Sequence, residues 1–266
     1  MQSTLLMPDR RSRTDRRRQG PHPLASDLAA AMQTGTLDIL FQPQFLCPAD
    51  ALCGAEALVR WEHGVHGDLA GDAVFEIAEG SGMSLDLSAH VRQAALTEAA
   101  GWPDGLRLSL NITARDLEDA NFADTVLAEL RESGFPAERL TLEITEQALV
   151  DDIEDSARIL ARLADAGIAI SLDDFGAGFC NFQYLKRLPL TALKLDRSMV
   201  TGITSDAQDL AVLRGIVAMA KALGLKVVAE GVETEAQRQA VCEEGCDRWQ
   251  GYLGGKPMAA AKFRAL

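Results

Sequence analysis

Ser171-Leu172-Asp173-Asp174-Phe175-Gly176 is the stretch on which the reading of the fold turns. The apolar run Ile168-Ala169-Ile170 has strand character and passes straight into two adjacent carboxylates and a glycine. Like charges at the end of a buried strand repel unless a cation lies between them. A divalent metal ion would serve, while a solvated turn in an acidic protein is the plainer reading of Asp173-Asp174 taken alone. The pair has company. Three other strand-like runs end in oxygen ligands, at Glu56, Asn111 and Glu143, and a fourth ends in Lys194-Leu195-Asp196.

On both sides of that stretch the chain alternates. A helix over 26–33 leads into strands over 37–45 and 53–61, joined by the turn Cys47-Pro48-Ala49-Asp50. That turn is too short for a crossover helix of about a dozen residues, so the two strands are antiparallel. Helices then follow over 72–81, 85–100, 122–133, 153–166, 181–187, 208–223 and 235–244, with strands over 106–112, 140–145, 168–173, 192–196, 226–230 and 247–250. Repeated strand–helix units with one all-round apolar strand apiece specify a parallel sheet covered by helices. Their number predicts an α/β fold, a TIM-like (β/α)8 barrel with the first strand antiparallel to the rest. A barrel of about 250 residues uses nearly the whole chain. The alternative is an open doubly wound sheet, although Gly176-Ala177-Gly178 lacks the third glycine of a dinucleotide fingerprint.

In a barrel, functional groups gather at the C-terminal ends of the strands. Here those ends carry Glu56, Asn111, Glu143, Asp173, Asp174, Lys194, Glu230 and Gln250. Oxygen ligands of this kind suit hard ions such as Mg²⁺ or Mn²⁺ rather than zinc. Two such ions about 3.5–4 Å apart activate water for an in-line phosphoryl displacement. Lys194 has three readings: a group that orients that water, a salt bridge that keeps crowded carboxylates folded, or a Schiff-base amine. Neighbouring negative charge disfavours the last by keeping the amine protonated.

Composition narrows the partners. The first twenty residues hold six arginines against two aspartates, so the remainder of a chain of net charge -13 is more acidic still. That body repels a nucleic-acid polymer or an anionic membrane. Residues 1–22 read as a basic disordered tail, with a weak contact to anionic lipid or a partner as the functional alternative, and residues 23–266 as one domain. No apolar run approaches the roughly 18 residues of a membrane span. Five cysteines without a close-set framework suit reduced thiols and a cytoplasmic location. Cys242 and Cys246 read as ordinary helix cysteines, and His63 and His66 as loop histidines in a Gly-rich stretch.

Glu56-Ala57-Leu58-Val59-Arg60-Trp61 resembles the signature of EAL domains, bacterial phosphodiesterases that cleave cyclic di-GMP. Gln42-Pro43, Asn111-Ile112-Thr113, Glu143-Ile144-Thr145-Glu146, Asp173-Asp174-Phe175-Gly176, Lys194-Leu195-Asp196, Glu230-Gly231-Val232-Glu233 and Gln250-Gly251-Tyr252 follow in that family's order. The resemblance implies hydrolysis of cyclic di-GMP to linear 5′-pGpG with two Mg²⁺ or Mn²⁺ ions. It implies that Glu56, Asn111, Glu143 and Asp173 hold one ion, with Asp173 shared and Asp174 and Glu230 on the second. Lys194 would contact the attacking water, with Glu230, Glu233 and Gln250 as the other catalytic groups. Gln42, Leu58, Arg60, Tyr252 and Pro257 would bind the nucleotide, and Glu146 would anchor the loop after Asp174. A homodimer through that loop and the adjacent helix is implied as well, and a chain read without a sensor or cyclase domain leaves regulation to a partner in trans. The loop Phe175-Gly176-Ala177-Gly178-Phe179-Cys180-Asn181 departs from the family's usual Thr, Tyr and Ser, and Gly254-Gly255-Lys256-Pro257 lacks the usual Arg before proline. A receptor that binds the nucleotide without turnover, and an unrelated barrel enzyme, are the competing functions.

Overall fold

The structure is a computed structural model that describes residues 22–145, 148, 153–178 and 184–266. Apart from His22, the predicted tail lies outside these residues, and so do Glu146 and the start of the helix expected over 181–187. Helix α1 (Ala25–Thr34) ends at Gly35, whose φ of 68° supplies the left-handed turn into β1 (Asp38–Leu46). β1 pairs antiparallel with β2 (Leu52–His63), in a register running from Asp38 opposite Arg60 to Phe45 opposite Leu52. β2 overshoots that pairing and folds back on β3 (Gly67–Ala70). After α2 (Gly71–Gly80) and α3 (Ser84–Ala99) the repeating units begin.

They are β4 (Arg107–Asn111), α4 (Ala114–Glu118) and α5 (Phe122–Ser133), then β5 (Leu140–Thr145) with α6 (Ile153–Asp165), and β6 (Ala169–Phe175) with α7 (Tyr184–Arg187). β7 (Ala192–Leu195), α8 (Ser198–Thr201), α9 (Ala207–Ala222), β8 (Lys226–Ala229), α10 (Glu235–Glu243), β9 (Arg248–Gln250), β10 (Met258–Ala259) and α11 (Ala260–Phe263) complete the chain. The strands β2, β4, β5, β6, β7, β8 and β9 are parallel neighbours in that order. β1 lies antiparallel between β9 and β2 and closes an eight-stranded barrel. The predicted barrel and its one reversed strand are therefore observed, and the open sheet is not.

One expectation needs correction. The parallel strands are not apolar all round; they alternate. Leu108 and Leu110, Leu142 and Ile144, Ile170 and Leu172, and Leu193 and Leu195 belong to one buried apolar cluster with Leu96 of α3, Val126 and Leu130 of α5, Ile159 and Leu163 of α6 and Val217 of α9. Their neighbours Ser109, Thr141, Glu143, Ser171, Asp173 and Lys194 are buried too, but polar, and face the barrel interior. Successive side chains of a strand point to opposite faces, so the apolar half packs on the helices and the polar half fills the bore. Each buried Leu or Ile contributes about 1.5–3 kcal/mol of this coat. A smaller cluster of Leu28, Val59, Trp61, Val74, Ile77 and Leu87 seats α1, α2 and α3 against the far end of β2.

The stretch between Gly64 and Gly71 forms the β2–β3 hairpin rather than a free loop, and His63 is the last residue of β2. His63 accepts from the backbone N–H groups of Val65 and His66 and lies 3.3 Å from Asp27, so a turn accounts for it. The expectation of reduced thiols also fails at one pair: Cys47 and Cys242 form a disulfide between the β1–β2 turn and α10, across 195 residues. No local spacing could signal that pair, because it depends on α10 docking beside β9. Its presence removes the thiol argument for a reducing compartment. Cys53 and Cys246 remain free and buried, and burial pushes the Cys246 thiol up to about 12. No helix among the described residues is long and apolar enough to cross a membrane.

Non-reducing peptide mapping should recover the Cys47 and Cys242 peptides as one species. Reduction should lower unfolding stability by about 2–4 kcal/mol. Recovery of both cysteines as free thiols from protein alkylated before denaturation would remove the cross-link.

Candidate active site

The parallel register stacks strand ends, and it puts one buried ammonium among four carboxylates. Lys194 Nζ on β7 donates to Glu143 Oε2 on β5 at 2.5 Å, to Asp173 Oδ2 on β6 at 2.9 Å and to Glu56 Oε2 on β2 at 3.4 Å. It lies 2.7 Å from Glu230 Oε1, just past β8, in an ion pair whose angle does not make a hydrogen bond. Asp173 and Glu230 come from the two strands that flank β7, whereas Glu56 and Glu143 come from strands that do not neighbour it and reach Lys194 across the bore. Burial alone would lower the Lys194 pKa, but the sum of Asp173, Glu143, Glu230 and Glu56 holds it well above the ordinary lysine value. One cation cannot balance four buried carboxylates. Burial pushes Glu143 up to about 8 and Glu230 well above the usual carboxylate range, with neighbouring carboxylates adding to both. Burial acts upward on Glu56 as well, but Lys194 and donors from Gln250 and Asn111 outweigh it and hold that carboxyl low.

Asp173 and Asp174 share this mouth because the strand breaks its own rule. Adjacent residues of a regular strand point to opposite faces, yet the β6–β7 register slips between Leu172 and Phe175, and Asp174 takes a positive φ of 55°. Left-handed backbone costs a non-glycine residue roughly 1–2 kcal/mol, least for Asp and Asn. The Asp174 N–H donates to Asp173 Oδ1 at 2.8 Å, which closes the local turn. Gly176 follows with φ 101°, and a Cβ there would lie 2.6 Å from Met199 Cγ, so the motif glycine is required twice over.

Two carboxylate groupings result: Glu56, Glu143 and Asp173, and Asp173, Asp174 and Glu230, each with oxygens within 4.8 Å of one another. Asp173 belongs to both. The donor set is all oxygen, and Glu230 Oε1 is buried without a hydrogen bond. Such a set fits divalent cations. Asn111, at the end of β4, orients Glu56 by donating to its Oε1 at 2.7 Å, and Gln250 donates to Glu56 Oε2 at 2.7 Å. Behind Asn111, Thr113 caps α4 in a reciprocal box with Asp116. Asp116 in turn binds buried Arg92, which also pairs with Glu129, so the strand end is tied to α3 and α5.

Of the predicted substrate groups, Gln42 and Tyr252 line one cavity beside Glu230 and Gln250. Gln42 is nearly buried on β1 and touches Gln250, while Leu58 and Arg60 continue the face of Glu56 and are half-buried. Tyr252 is exposed beyond β9, with Lys256 Nζ 5.1 Å from its ring centre, and Pro257 is half-buried. Glu233 stands apart from both carboxylate groupings and pairs with Arg197 at 2.9 Å. Two participants escaped the sequence reading. Gln44 donates to Gln250 Oε1 at 2.9 Å and steadies it, and only its two-residue spacing from Gln42 signals it. Arg197 directly follows the Lys194-Leu195-Asp196 motif, and only that adjacency could have marked it.

A family model described as EAL domain matches residues 25–257. The chain is 37% identical over 246 residues to the bifunctional diguanylate cyclase/cyclic di-GMP phosphodiesterase MucR of Pseudomonas aeruginosa, covering 91% of this chain and 36% of that protein. It is 37% identical over 243 residues to the cyclic di-GMP phosphodiesterase NbdA of the same organism, covering 90% and 31%. The chain thus spans about a third of the length of these relatives. Among solved structures, the PaMucR phosphodiesterase in complex with c-di-GMP superimposes with a TM-score of 0.85 at 35% identity, covering 91% of this chain and all of that one. The EAL enzyme Bd1971, in a form bound to cAMP and cyclic di-GMP, gives 0.86 at 28%, covering 91% and 67%.

Replacing the buried cation should expose the strain it relieves. Lys194→Met is expected to destabilise the ion-free protein by about 3–5 kcal/mol, the usual cost of stripping a partner from buried charges. Added Mn²⁺ should raise its melting temperature more than it raises that of the parent. A variant as stable as the parent in chelator would show that the ammonium does not balance these carboxylates.

Proposed function

The chain belongs to the EAL domain family, and we propose that it is a metal-dependent phosphodiesterase that opens cyclic di-GMP to linear 5′-pGpG. The observation that carries this reading is the pair of carboxylate groupings joined at Asp173. Glu56, Asn111, Glu143 and Asp173 would hold one Mg²⁺ or Mn²⁺ ion, and Asp173, Asp174 and Glu230 the other. When bound, two such ions supply an activated water and positive charge beside the phosphodiester.

The chain's own residues do the remaining work. Lys194 keeps its proton and orients the water that attacks phosphorus; as the new P–O bond forms the water gives up a proton, the bond to the 3′-oxygen breaks, and the departing oxygen takes up one proton from solvent, so that the sum is one water consumed per bond opened. Gln250, braced by Gln44, keeps Glu56 turned into the bore. Arg60 offers a guanidinium fork to a phosphate, a geometry suited to bidentate donation. Leu58, Gln42, Tyr252 and Pro257 bound the space for the nucleoside. Burial of Glu56, Glu143, Asp173 and Lys194 keeps bulk water from that part of the bore, which strengthens the charge interactions among them. A homodimer through the loop after Asp174 and the adjacent helix belongs to the same reading, supported by an apolar groove of Phe175, Met199, Val212, Ile216 and Met219 beside it.

Excess chelator should abolish hydrolysis of cyclic di-GMP, and Mg²⁺ or Mn²⁺ should restore it, as read by nucleotide chromatography. Ca²⁺, larger and more loosely coordinated, should restore it poorly. Asp173→Asn keeps the shape but removes charge from both groupings, and turnover should fall by roughly a thousandfold or more. Nucleotide affinity, measured by calorimetry in Ca²⁺, should change far less. Hydrolysis within about tenfold of the parent, a barrier difference of about 1.4 kcal/mol, would overturn the shared role.

A further inference from the structure

Two arginines stand at the end of the bore where the parallel strands begin, away from the carboxylates. Arg107 opens β4 and Arg248 opens β9. Each shares its strand parity with inward groups, Arg107 with Ser109 and Asn111, and Arg248 with Gln250. Successive side chains alternate between faces, so both arginines are aimed into the floor of the barrel. Their strands flank the β1–β2 pair: Arg107 is in register with Gly54, Gly54 lies opposite Gln44, and Arg248 lies opposite Leu46. A Cβ on Gly54 would lie 2.4 Å from the Arg107 carbonyl oxygen and 3.1 Å from the Arg107 Cβ. Glycine is therefore required, and it leaves the wall between the two arginines without a side chain at that position.

Neither arginine has a counter-charge. Arg107 Nη1 donates to the backbone carbonyl of Glu138 at 2.8 Å and Nη2 reaches Thr141 Oγ1 at 3.5 Å, while its Nε is buried without a partner. Arg248 is half-buried and makes neither a hydrogen bond nor an ion pair among the described residues. The two repel each other. Burial and then Arg248 hold the Arg107 guanidinium below the ordinary arginine range, and no carboxylate raises it in return. Cys53, on β2 between them, feels both arginines, yet burial outweighs them and keeps its thiol protonated and uncharged. A chain of net charge -13 has acids in excess, and it sets none of them against this pair. A buried donor without an acceptor is costly, and neighbouring cations without an anion add to that cost. Guanidinium forks are matched in shape to a phosphate-like group, which accepts from two of them at once.

We propose that this floor is an anion site in which Arg107 and Arg248 together hold one tetrahedral oxyanion of the phosphate class. The ion takes the unpartnered Nε–H of Arg107 and the fork of Arg248, and so ties β4 to β9 across the two strands whose pairing closes the barrel. The proposal stands apart from the phosphodiester reading, since the carboxylate groupings and Arg60 lie toward the other ends of these strands.

The test is calorimetric titration of inorganic phosphate, in chelator and at constant ionic strength, into the parent, Arg107→Gln, Arg248→Gln, Arg248→Lys and Arg60→Ala, with melting temperatures recorded alongside. The parent should bind one phosphate per chain, and its melting temperature should rise to a plateau as phosphate replaces chloride. Arg248→Gln should weaken that binding by about tenfold or more, the least that a hydrogen bond between charged groups is worth, and should remove most of the rise. Lysine should recover only part, because it keeps the charge but lacks the fork. Arg107→Gln should match Arg248→Gln. Should it fail to fold for want of its bond to Glu138, Arg248→Gln decides alone, since Arg248 makes no bond whose loss could unfold the chain. Arg60→Ala should bind phosphate as the parent does, which separates this floor from the phosphate grip at the opposite mouth. AMP identifies the source of the anion: binding that Arg248→Gln abolishes assigns the site to the phosphate of a nucleotide, and no binding assigns it to the free ion. A parent that shows no saturable phosphate binding overturns the proposal. So does equal affinity in Arg248→Gln, or a loss confined to Arg60→Ala.

Discussion

A single ammonium held among four carboxylates is the constraint on which the rest of this molecule depends. Lys194 meets Glu143, Asp173, Glu230 and Glu56 only because strands far apart in sequence are brought into register around a closed bore. Charges taken out of water each cost several kcal/mol unless they are paired. The interior of the barrel therefore contributes little net stability. The helices must supply it from outside, and the strands offer them an unbroken apolar face through residues such as Leu110, Leu142, Leu172 and Leu195. Function occupies one side of each strand and cohesion the other.

That division also explains what the sequence could and could not disclose. Strand ends such as Glu143 and Asp173 were legible because an apolar run followed by an acid is a local signal, and the barrel was legible because its units repeat. The alternation was legible as well, in Leu108-Ser109-Leu110-Asn111 and Leu142-Glu143-Ile144, yet a strand covered by helices invites the expectation of apolar side chains on both faces. The left-handed turn at Asp174 carries no composition signal of its own, because only a register slip against β7 reveals it. The Cys47–Cys242 link and the Arg197–Glu233 pair were beyond reach because each depends on a strand pairing: the first needs β1 docked on β9 at the closing seam, the second needs β7 paired with β8. The short β3, whose Gly67 turn reads as loop chemistry, was hidden by the opposite cause, a hairpin too brief to show a period.

The reversed first strand bears on how the chain comes off the ribosome. β1 finds β2 at once through a short turn, but its other edge is completed by β9 and β10. Roughly 200 residues separate Leu46 from Arg248, so at ordinary rates of synthesis that edge waits about 10–40 s for its partner. During that interval the nascent chain presents a row of unpaired backbone groups, the kind of surface that recruits a second chain. Asp38 at the start of the strand and Pro43, which lacks a backbone donor, within it blunt that edge. The seam that closes the barrel is also the one that vectorial folding reaches last.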